Sequence, residues 1–288
     1  MDNVTPMQVP NSAGTAPPSL KAPAHACDCH MHIYDGERFP PPRPQARMQP
    51  NARVQEYRLF QQRIGTSRVV VVQPAANHID NGVTLDALAQ LGPSARGIAV
   101  VHPAVTDAEL KAMQAKGVRG IRFTQFDPKT AATTIDMIEP LAKRAAPLGL
   151  HVQIHLRGDQ IAGAADLLQR LPGTIVFDHL GRLAGGLADP AFAVIRRMLD
   201  KGNTWMKLSG AYMFDGPPRY ARAAPIARAY IEAAPVRMVW GSDWPHPTET
   251  DKPDDAVLFD LVSDWAPDAA ARQRILVDNP AALYGFGK

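Results

Sequence analysis

The chain has 288 residues, of which 45% are hydrophobic and 20% charged, and its formal net charge at pH 7 is +3. This size and balance are typical of an ordinary globular enzyme. The basic residues are scattered, which excludes the concentrated cationic face that nucleic-acid binding requires. A small positive excess suits a small anionic substrate.

The two cysteines, Cys27 and Cys29, are separated by one residue. This spacing is too short for an unstrained disulfide, so we expect a protein without a disulfide framework. No basic segment followed by an apolar run opens the chain, and no apolar stretch reaches the length of a transmembrane helix. The sequence therefore predicts a cytoplasmic protein without a membrane partner, and it leaves the oligomeric state open.

The N-terminal segment, residues 1–25, is rich in Pro, Ala, Ser and Asn and shows no periodicity. It is predicted to be a flexible or surface-draped arm. A second proline-rich stretch, residues 39–44, is predicted to be an extended loop because proline fixes φ and removes a backbone donor. Residues 26–288 are predicted to form one domain.

Eight short apolar runs alternate with longer segments in which apolar residues have helical spacing. The predicted strands are residues 26–33, 68–73, 97–102, 120–124, 150–155, 174–179, 204–209 and 237–242. The predicted helices are residues 85–91, 135–148, 161–171, 192–199, 226–233 and 256–276. Such alternation predicts a parallel sheet, and eight units predict a (β/α)₈ TIM barrel. A doubly wound sheet is the alternative, and the lack of a glycine-rich loop after the first strand weakens it.

The first predicted strand carries Asp28, His30 and His32 at alternating positions. Strict alternation places these three on one face, with the two cysteines and Met31 on the other. Two adjacent imidazoles could hold a divalent cation or donate hydrogen bonds to a substrate oxygen. A pair of histidines hydrogen-bonded within the barrel is the alternative.

Polar residues also follow the sixth and eighth predicted strands, where catalytic groups lie in this fold. His179 could ligate a metal or hydrogen-bond a carbonyl, and Arg182 could pair with a substrate carboxylate. Asp243, in a Gly-Ser-Asp-Trp-Pro segment, could take a proton from water. Burial against the backbone for His179, and a helix cap or turn for Asp243, are the alternatives.

Other predicted strands end in polar residues as well: Gln73, His102, Arg122, His155 and Ser209. Arg122 is a candidate anion binder, because a charged residue within an apolar strand needs an internal partner. Lys207 leaves open the chemistry of a Schiff-base aldolase. Three further histidines are expected at the surface or behind the site: His78, His151 and His246.

A set of motifs extends over residues 26–285. They are Asp-Cys-His-Met-His at 28–32, Asp-Asn-Gly-Val-Thr-Leu at 80–85, Arg-Gly-Ile-Arg-Phe at 119–123, Phe-Asp-His-Leu-Gly-Arg at 177–182, Trp-Gly-Ser-Asp-Trp-Pro-His-Pro at 240–247 and Asp-Asn-Pro at 278–280. With these motifs the chain resembles the amidohydrolase superfamily. The branch it resembles contains 2-pyrone-4,6-dicarboxylate lactonase, galactarolactone isomerase and sugar-acid lactonases.

The resemblance implies hydrolysis of a lactone ester. It implies that Asp243 activates water, and that Arg122 and Arg182 bind a substrate carboxylate. It further implies that three histidines polarise the lactone carbonyl and stabilise the oxyanion: His30, His32 and His179.

The resemblance leaves the metal open, because the superfamily usually uses one or two divalent metals while this branch includes metal-free members. The segment that ends the fourth predicted strand, residues 122–125, contains no bridging lysine, so a binuclear centre is not expected. A single Zn²⁺ on His30, His32 and Asp243 and a metal-free mechanism are the two alternatives.

Two segments depart from the pyrone dicarboxylate lactonases, since residues 126–128 and 211–214 contain no arginine. Residues 202–212 look closer to the galactarolactone isomerase, yet this chain keeps both histidines of the first strand. We therefore expect a lactonase for a carboxylated lactone of aromatic or sugar-acid breakdown, such as a 2-pyrone-4,6-dicarboxylate-like, muconolactone-like or sugar-acid lactone. The expected substrate-binding residues are Arg122, Arg182, His155, Gln73 and Ser209. Lactone isomerisation, decarboxylation and a non-catalytic scaffold are the alternatives.

Overall fold

The computed structural model describes residues 6–43, 46–217 and 220–287. The first five residues of the predicted arm, and Pro44 in the predicted proline-rich loop, lie outside these ranges. Within the described ranges, no helix combines the length and the apolar character needed to cross a bilayer.

Eight parallel strands follow one another around the sheet in chain order. They are β1 (Cys27–Met31), β2 (Arg68–Val72), β3 (Ala95–Ala99), β4 (Val118–Thr124), β5 (His151–His155), β6 (Ile175–Phe177), β7 (Thr204–Leu208) and β8 (Met238–Trp240). The sheet closes where the N–H of Asp243 donates to the carbonyl of His30 (2.7 Å) and the N–H of His32 donates to that of Trp244 (2.8 Å). We call this junction the β1–β8 seam. The predicted (β/α)₈ barrel is confirmed.

Helices follow the strands on the outside of the barrel. They are α1 (Val54–Ile64), α2 (Gly82–Leu91), α3 (Asp107–Ala115), α4 (Ile138–Ala145), α5 (Gly158–Gly163), α6 (Ala165–Arg170), α7 (Pro190–Asp200), α8 (Ala223–Ala233), α9 (Asp255–Trp265), α10 (Ala269–Gln273) and α11 (Asn279–Tyr284). The helix predicted at 256–276 is divided into α9 and α10. Pro267 lies between them and removes a backbone donor.

The sequence prediction does not include α1, α3 and α11. In α1 the buried residues do recur at helical spacing, as Val54, Tyr57, Phe60 and Ile64. α3 buries only Leu110, so its periodic signal is weak. Its start depends instead on a capping box, in which Thr106 Oγ1 accepts from the N–H of Glu109 (3.2 Å) and the Glu109 carboxylate accepts from the N–H of Thr106 (2.7 Å).

An irregularity in β1 decides which of its side chains enter the barrel. The register with β2 shifts between Asp28 and Met31. The two cysteines of β1 lie among the apolar residues of the interior, whereas Asp28 accepts a hydrogen bond from Tyr57 of α1 (3.0 Å). The shift then turns His30 inward as well, next to interior side chains. The prediction that Asp28 shares a face with the histidines is wrong, because strict alternation ends at a β-bulge.

We call the apolar part of the barrel interior its floor. The C-terminal residues Tyr284 and Phe286 close it, and Arg96 of β3 holds them by donating to the carbonyl of Tyr284 (3.2 Å). The other floor residues are Cys27, Cys29, Val70, Val72, Ile98 and Val239. This end buries hydrophobic surface, which stabilises the fold.

The described part of the N-terminal arm lies against the loop that follows β8. Val9 is fully buried, and the indole N–H of Trp244 donates to the carbonyl of Pro10 (2.8 Å). Arg63 of α1 donates to Ser12 Oγ (3.1 Å). These contacts support the loop that carries Asp243 from its outer side.

Candidate active site

Three imidazole rings converge on one carboxylate oxygen at the C-terminal mouth of the barrel. The Nε2 atoms of His30, His32 and His179 lie 3.4, 3.2 and 3.9 Å from Oδ1 of Asp243. All four side chains are at most 4% exposed. The structure therefore brings together the four residues predicted to carry the chemistry, from strands distant in sequence.

Left-handed backbone conformations direct two of these side chains, Asp243 and His179, toward the mouth. The φ angle is 64° at Asp243 and 50° at His179. Residues 179–182 form four consecutive left-handed residues, with φ of 50°, 55°, 74° and 53°. Each non-glycine residue in this region costs about 1–2 kcal/mol, so the surrounding packing must impose the conformation.

Gly241 and Ser242 set the spacing of the β1–β8 seam. A Cβ atom at Gly241 would lie only 2.7 Å from Cβ of His30, so any other residue here would displace that histidine. Asp28 accepts from the Ser242 hydroxyl (2.6 Å) and N–H (2.9 Å). Burial raises the pKa of Asp28 to about 6, although these hydrogen bonds oppose the rise. Asp28 thus joins the two strands that carry the site.

The ring of His32 is held in one tautomer. Its Nδ1 lies 2.8 Å from the carbonyl oxygen of Val72, which only accepts, so Nδ1 carries the proton. In the neutral ring, Nε2 is then an acceptor that faces Asp243 Oδ1 at 3.2 Å. Two buried acceptors at this distance require a proton or a cation between them.

The converging atoms form a donor set that suits a divalent metal. His30, His32 and Asp243 offer two nitrogens and one oxygen within 4.8 Å of one another. His30 Nε2 and Asp243 Oδ1 are buried with no hydrogen-bond partner among the described residues. Two imidazoles and a carboxylate form a ligand combination that Zn²⁺ accepts in proteins. The residues therefore fit a mononuclear site, which is one of the two alternatives that the sequence leaves open.

A buried polar layer lies beneath His30. Its Nδ1 is 3.2 Å from Asp178 Oδ1 and 3.4 Å from Lys207 Nζ. Asp178 Oδ2 accepts from Arg122 Nε (2.9 Å) and Gln153 Nε2 (3.1 Å). Burial acts to raise the pKa of Asp178, but His30, Arg122 and Lys207 outweigh it and hold the pKa well below its usual value. The fully buried Lys207 is thus charge-paired inside the barrel, which does not favour the Schiff-base alternative.

Ser209, at the end of β7, orients His179. Its Oγ lies 3.0 Å from His179 Nδ1, and a hydroxyl can donate or accept there. Gly210 has φ of 70°, and a Cβ atom on it would lie 3.1 Å from the His179 side chain. His155 packs edge-on to His179, with ring centroids 5.2 Å apart, and its Nδ1 lies 2.9 Å from Thr124 Oγ1. Two predicted substrate-binding residues therefore contact a predicted catalytic one.

Burial separates the ionisation of Asp243 from that of the histidines. Loss of water lowers the pKa of His179 to about 4 and lowers the pKa values of His30 and His155 well below their usual range. Burial alone would raise the pKa of Asp243, but His179, His32 and His30 outweigh it and hold the pKa well below its usual value. Asp243 is therefore ionised at neutral pH, as a general base must be.

The two arginines predicted to bind a carboxylate are held differently. Arg122 is 4% exposed and uses Nε on Asp178, and its terminal nitrogens have no hydrogen-bond partner within the described ranges. Arg182 lies over the ring of Phe126, 4.4 Å from its centroid, with no ion-pair partner in the described part of the chain. Both guanidinium groups can therefore donate hydrogen bonds to an anionic ligand.

A cavity of ≈ 430 Å³ lies beside the histidine cluster. Arg182 lines it, whereas Asp243 and the three histidines do not. Arg157 also lines it and is already paired with Asp159 (2.9 Å). Apolar side chains make up much of the wall: Phe126, Met213 and Phe214. The cavity provides room for a part of a ligand remote from the histidines.

Gln73 lies outside the cluster. It is fully buried, its Nε2 donates to the carbonyl of Asp80 (2.7 Å), and its Oε1 accepts from Thr84 (2.6 Å). Gln73 thus fixes the loop before α2, and its amide faces that loop. The loop already satisfies the polar atoms of Gln73, and its expected role in substrate binding stays a prediction. His151 is buried inside the barrel, edge-on to Tyr284 at 5.6 Å.

Tyr212 and His246 contribute to the site. Sequence reasoning gave Tyr212 no role and expected His246 at the surface or behind the site, and the structure places it against the ring of Tyr212. The Tyr212 hydroxyl donates to Asp243 Oδ2 (2.5 Å), and His246 Nε2 lies 3.0 Å from Asp255 Oδ1. A tyrosine in a loop has no periodic signal. Only its position four residues after the end of β7 connects Tyr212 with the barrel mouth.

Comparison with known proteins identifies the family. Residues 27–286 match the amidohydrolase family model. The chain belongs to the amidohydrolase family. This amidohydrolase is 35% identical to a 4-sulfomuconolactone hydrolase of Rhizobium radiobacter, over 98% of this chain and 97% of that protein. It is 36% identical to a 2-pyrone-4,6-dicarboxylate hydrolase of Comamonas testosteroni and 32% identical to a D-galactarolactone isomerase of Agrobacterium fabrum, each over 94% of both chains. The resemblance drawn from the motifs is confirmed.

Proposed function

We propose that this amidohydrolase is a lactonase that hydrolyses the ring ester of a carboxylated lactone. The observation that carries the proposal is the convergence of three imidazole Nε2 atoms, at 3.2–3.9 Å, on one oxygen of Asp243. This arrangement combines a base for water with groups that can stabilise a carbonyl oxygen. The relatives named for lactone hydrolysis support the choice of reaction.

Hydrolysis begins with a water molecule that loses a proton as it attacks. Asp243 Oδ1 takes this proton while the water oxygen bonds to the lactone carbonyl carbon, and the carbonyl oxygen becomes an oxyanion. The ring C–O bond then breaks. The departing ring oxygen recovers the proton from Asp243, and the product is an open-chain hydroxy acid.

The oxyanion needs hydrogen-bond donors, and His179 is the best placed to be one. When the Ser209 hydroxyl donates to His179 Nδ1, the ring carries its proton on Nε2 and directs it toward the mouth. His30 lies beside it, with ring centroids 4.6 Å apart. Loss of one such donor costs roughly 10²–10³-fold in kcat in comparable sites.

A divalent metal held by His30, His32 and Asp243 would supply Lewis-acid polarisation of the carbonyl and a more acidic water. In the metal-free alternative, a proton on His32 relieves its contact with Asp243 Oδ1. Both states place positive charge near the carbonyl oxygen as it becomes negative. The roles of Asp243 and His179 are the same in both.

The two arginines support an anionic substrate. The terminal nitrogens of Arg122, which have no partner among the residues that the structure describes, and the guanidinium of Arg182 form donor sets that match a carboxylate. The adjacent cavity, lined by Arg182, can take the rest of the lactone. The buried, free thiols of Cys27 and Cys29 are in keeping with a cytoplasmic enzyme.

Isomerisation is the second candidate, and the 32% identity to a galactarolactone isomerase favours it. In that reaction a hydroxyl of the substrate attacks the carbonyl in place of water, and Asp243 takes its proton. The two functions share every residue of the site and differ in the nucleophile.

A panel of carboxylated and neutral lactones tests the proposal. Acid release is followed with a pH indicator, products are identified by NMR, and each assay is run with and without chelator beside elemental analysis of the protein. We expect acid release and an open-chain hydroxy acid from a carboxylated lactone. A new lactone ring would identify an isomerase, and no turnover across the panel would overturn the proposal.

A further inference from the structure

We propose that Tyr212 is a positioning residue that selects which oxygen of Asp243 receives the proton from water. The inference rests on the hydrolytic function proposed above. Tyr212 lies in the short helical turn Ala211–Met213 that follows β7. Its hydroxyl contacts Asp243, and its ring contacts His246.

The two oxygens of Asp243 have different partners. Oδ2 accepts the hydrogen bond from the Tyr212 hydroxyl at 2.5 Å, whereas Oδ1 faces the three histidine Nε2 atoms at 3.2–3.9 Å. A carboxylate without such a partner could rotate and exchange its oxygens. The phenol prevents this rotation, because a charge-assisted hydrogen bond in a buried site is strong. Oδ1 is thereby the oxygen presented to water.

Tyr212 is itself held from behind. Its ring packs edge-on against His246, with centroids 5.0 Å apart and an interplanar angle of 87°. His246 is fixed in turn, because its Nε2 lies 3.0 and 3.1 Å from the two oxygens of Asp255. His246 and Asp255 are fully buried, and Asp255 is the first residue of α9. A helix therefore sets the orientation of the base through three side chains.

The hydroxyl of Tyr212 distinguishes this arrangement from simple packing. Phenylalanine would fill the same space against His246. Tyr212 is half-buried, and its hydroxyl is directed onto Oδ2 of the buried Asp243, which is a specific feature of the site. What the hydroxyl contributes is the orientation of the carboxylate.

Tyr212→Phe tests the proposal with a lactone that the wild-type enzyme hydrolyses. We expect kcat to fall roughly 10- to 100-fold, as a misplaced catalytic group does, with KM within about twofold, because Tyr212 orients the base and leaves substrate binding unchanged. Tyr284→Phe is the matched control. It removes a buried hydroxyl that has no hydrogen-bond partner among the described residues, at the opposite end of the barrel, and it should keep wild-type kcat and KM.

A double-mutant cycle separates positioning from general destabilisation. His246→Gln should lower kcat with KM preserved, and the Tyr212→Phe/His246→Gln enzyme should be within about twofold of Tyr212→Phe, because both act through one chain of contacts. If Tyr212→Phe does not fold, His246→Gln decides by the same comparison of kcat and KM.

The proposal is overturned if Tyr212→Phe keeps wild-type kcat, if only KM changes, or if the two effects multiply. These outcomes differ from failure of the proposed function. A wild-type enzyme that hydrolyses no lactone removes the function itself. An active wild-type enzyme with an unaffected Tyr212→Phe variant removes only the positioning role.

Discussion

The floor and the mouth of the barrel interior are built from different kinds of side chain. At the floor, Tyr284 and Phe286 close an apolar space, and the nearby strand residues are valines, an isoleucine and the two cysteines. At the mouth, Asp243 and the histidines crowd polar atoms together, and several of them have no hydrogen-bond partner among the described residues. The floor buries surface, whereas the mouth concentrates charge and polar groups.

Because of this difference, we expect residues of the floor to determine the stability of the fold and residues of the mouth to determine its chemistry. Left-handed φ angles at Asp243 and His179 add backbone strain at the mouth, and burial of the apolar floor helps to offset it. Changes at the mouth should therefore affect turnover far more than stability. Changes at the floor should do the reverse.

Asp243→Asn should give the largest effect on turnover. An amide cannot take a proton from water, so kcat should fall roughly 10³-fold. The measurement is kcat on a hydrolysed lactone, with circular dichroism and thermal denaturation to show an intact barrel. Near-normal turnover in the folded variant would contradict the role of Asp243 and with it the division between mouth and floor.

Arg182→Met should have a smaller effect than Asp243→Asn, and the effect should be on substrate binding. Loss of a charge-assisted hydrogen bond worth about 1.5–3 kcal/mol should raise KM for a carboxylated lactone roughly 10- to 100-fold. KM for a neutral lactone should change little. Arg157→Met is the matched control, since Arg157 lines the same cavity but is paired with Asp159 (2.9 Å). Equal losses for carboxylated and neutral lactones would show that Arg182 does not recognise the carboxylate.

The smallest effect on turnover is expected next to the floor, where His151 packs against Tyr284 and links stability to pH. Burial, with a contribution from Lys207, lowers the pKa of His151 from 6.5 to about 3, and burial lowers the pKa of His179 to about 4. The unfolded chain binds these protons first, so stability should be lost as pH falls from about 6.5 toward 3. Asp28, with its pKa raised to about 6, acts in the opposite sense, and the two histidines outweigh it.

Chemical denaturation at pH 7 and pH 4.5 measures this dependence. The free energy of unfolding should decrease toward the lower pH, and His151→Leu should reduce the decrease while kcat at pH 7 stays near that of the wild type. His102→Gln removes an exposed histidine and serves as the control. Equal pH dependence in wild type and His151→Leu would assign the effect to other groups.

The sequence predicted all eight strands because each is a short run with buried apolar residues, set apart from the longer segments that have helical spacing. It predicted neither α1, although the buried residues of that helix recur at helical spacing, nor α3, which buries only Leu110. It also placed Asp28 on the wrong face, because a bulge arises from pairing between strands and strand alternation alone gives no sign of it. Local patterns reveal elements, while register depends on the neighbouring strand.

For the site, sequence reasoning identified the residues that end strands, such as His179 and Asp243. It did not identify Tyr212, since a loop side chain can only be connected with Asp243 through the fold. It assigned Gln73 to the substrate because its position at a strand end resembles that of Ser209, yet its amide is satisfied within its own loop. A position at the end of a strand predicts that a residue lies near the mouth. Its hydrogen bonds in the folded chain decide whether its polar atoms can bind a substrate.

The hydrogen bond from the N–H of Asp243 to the carbonyl of His30 (2.7 Å) has a consequence for folding. It joins β1 to the loop that follows β8. Together with the hydrogen bond from the N–H of His32 to the carbonyl of Trp244 (2.8 Å), it closes the barrel and brings Asp243 to the histidines. A nascent chain still lacking β8 holds its histidines without their base. The rate at which turnover returns during refolding therefore measures how fast the β1–β8 seam forms.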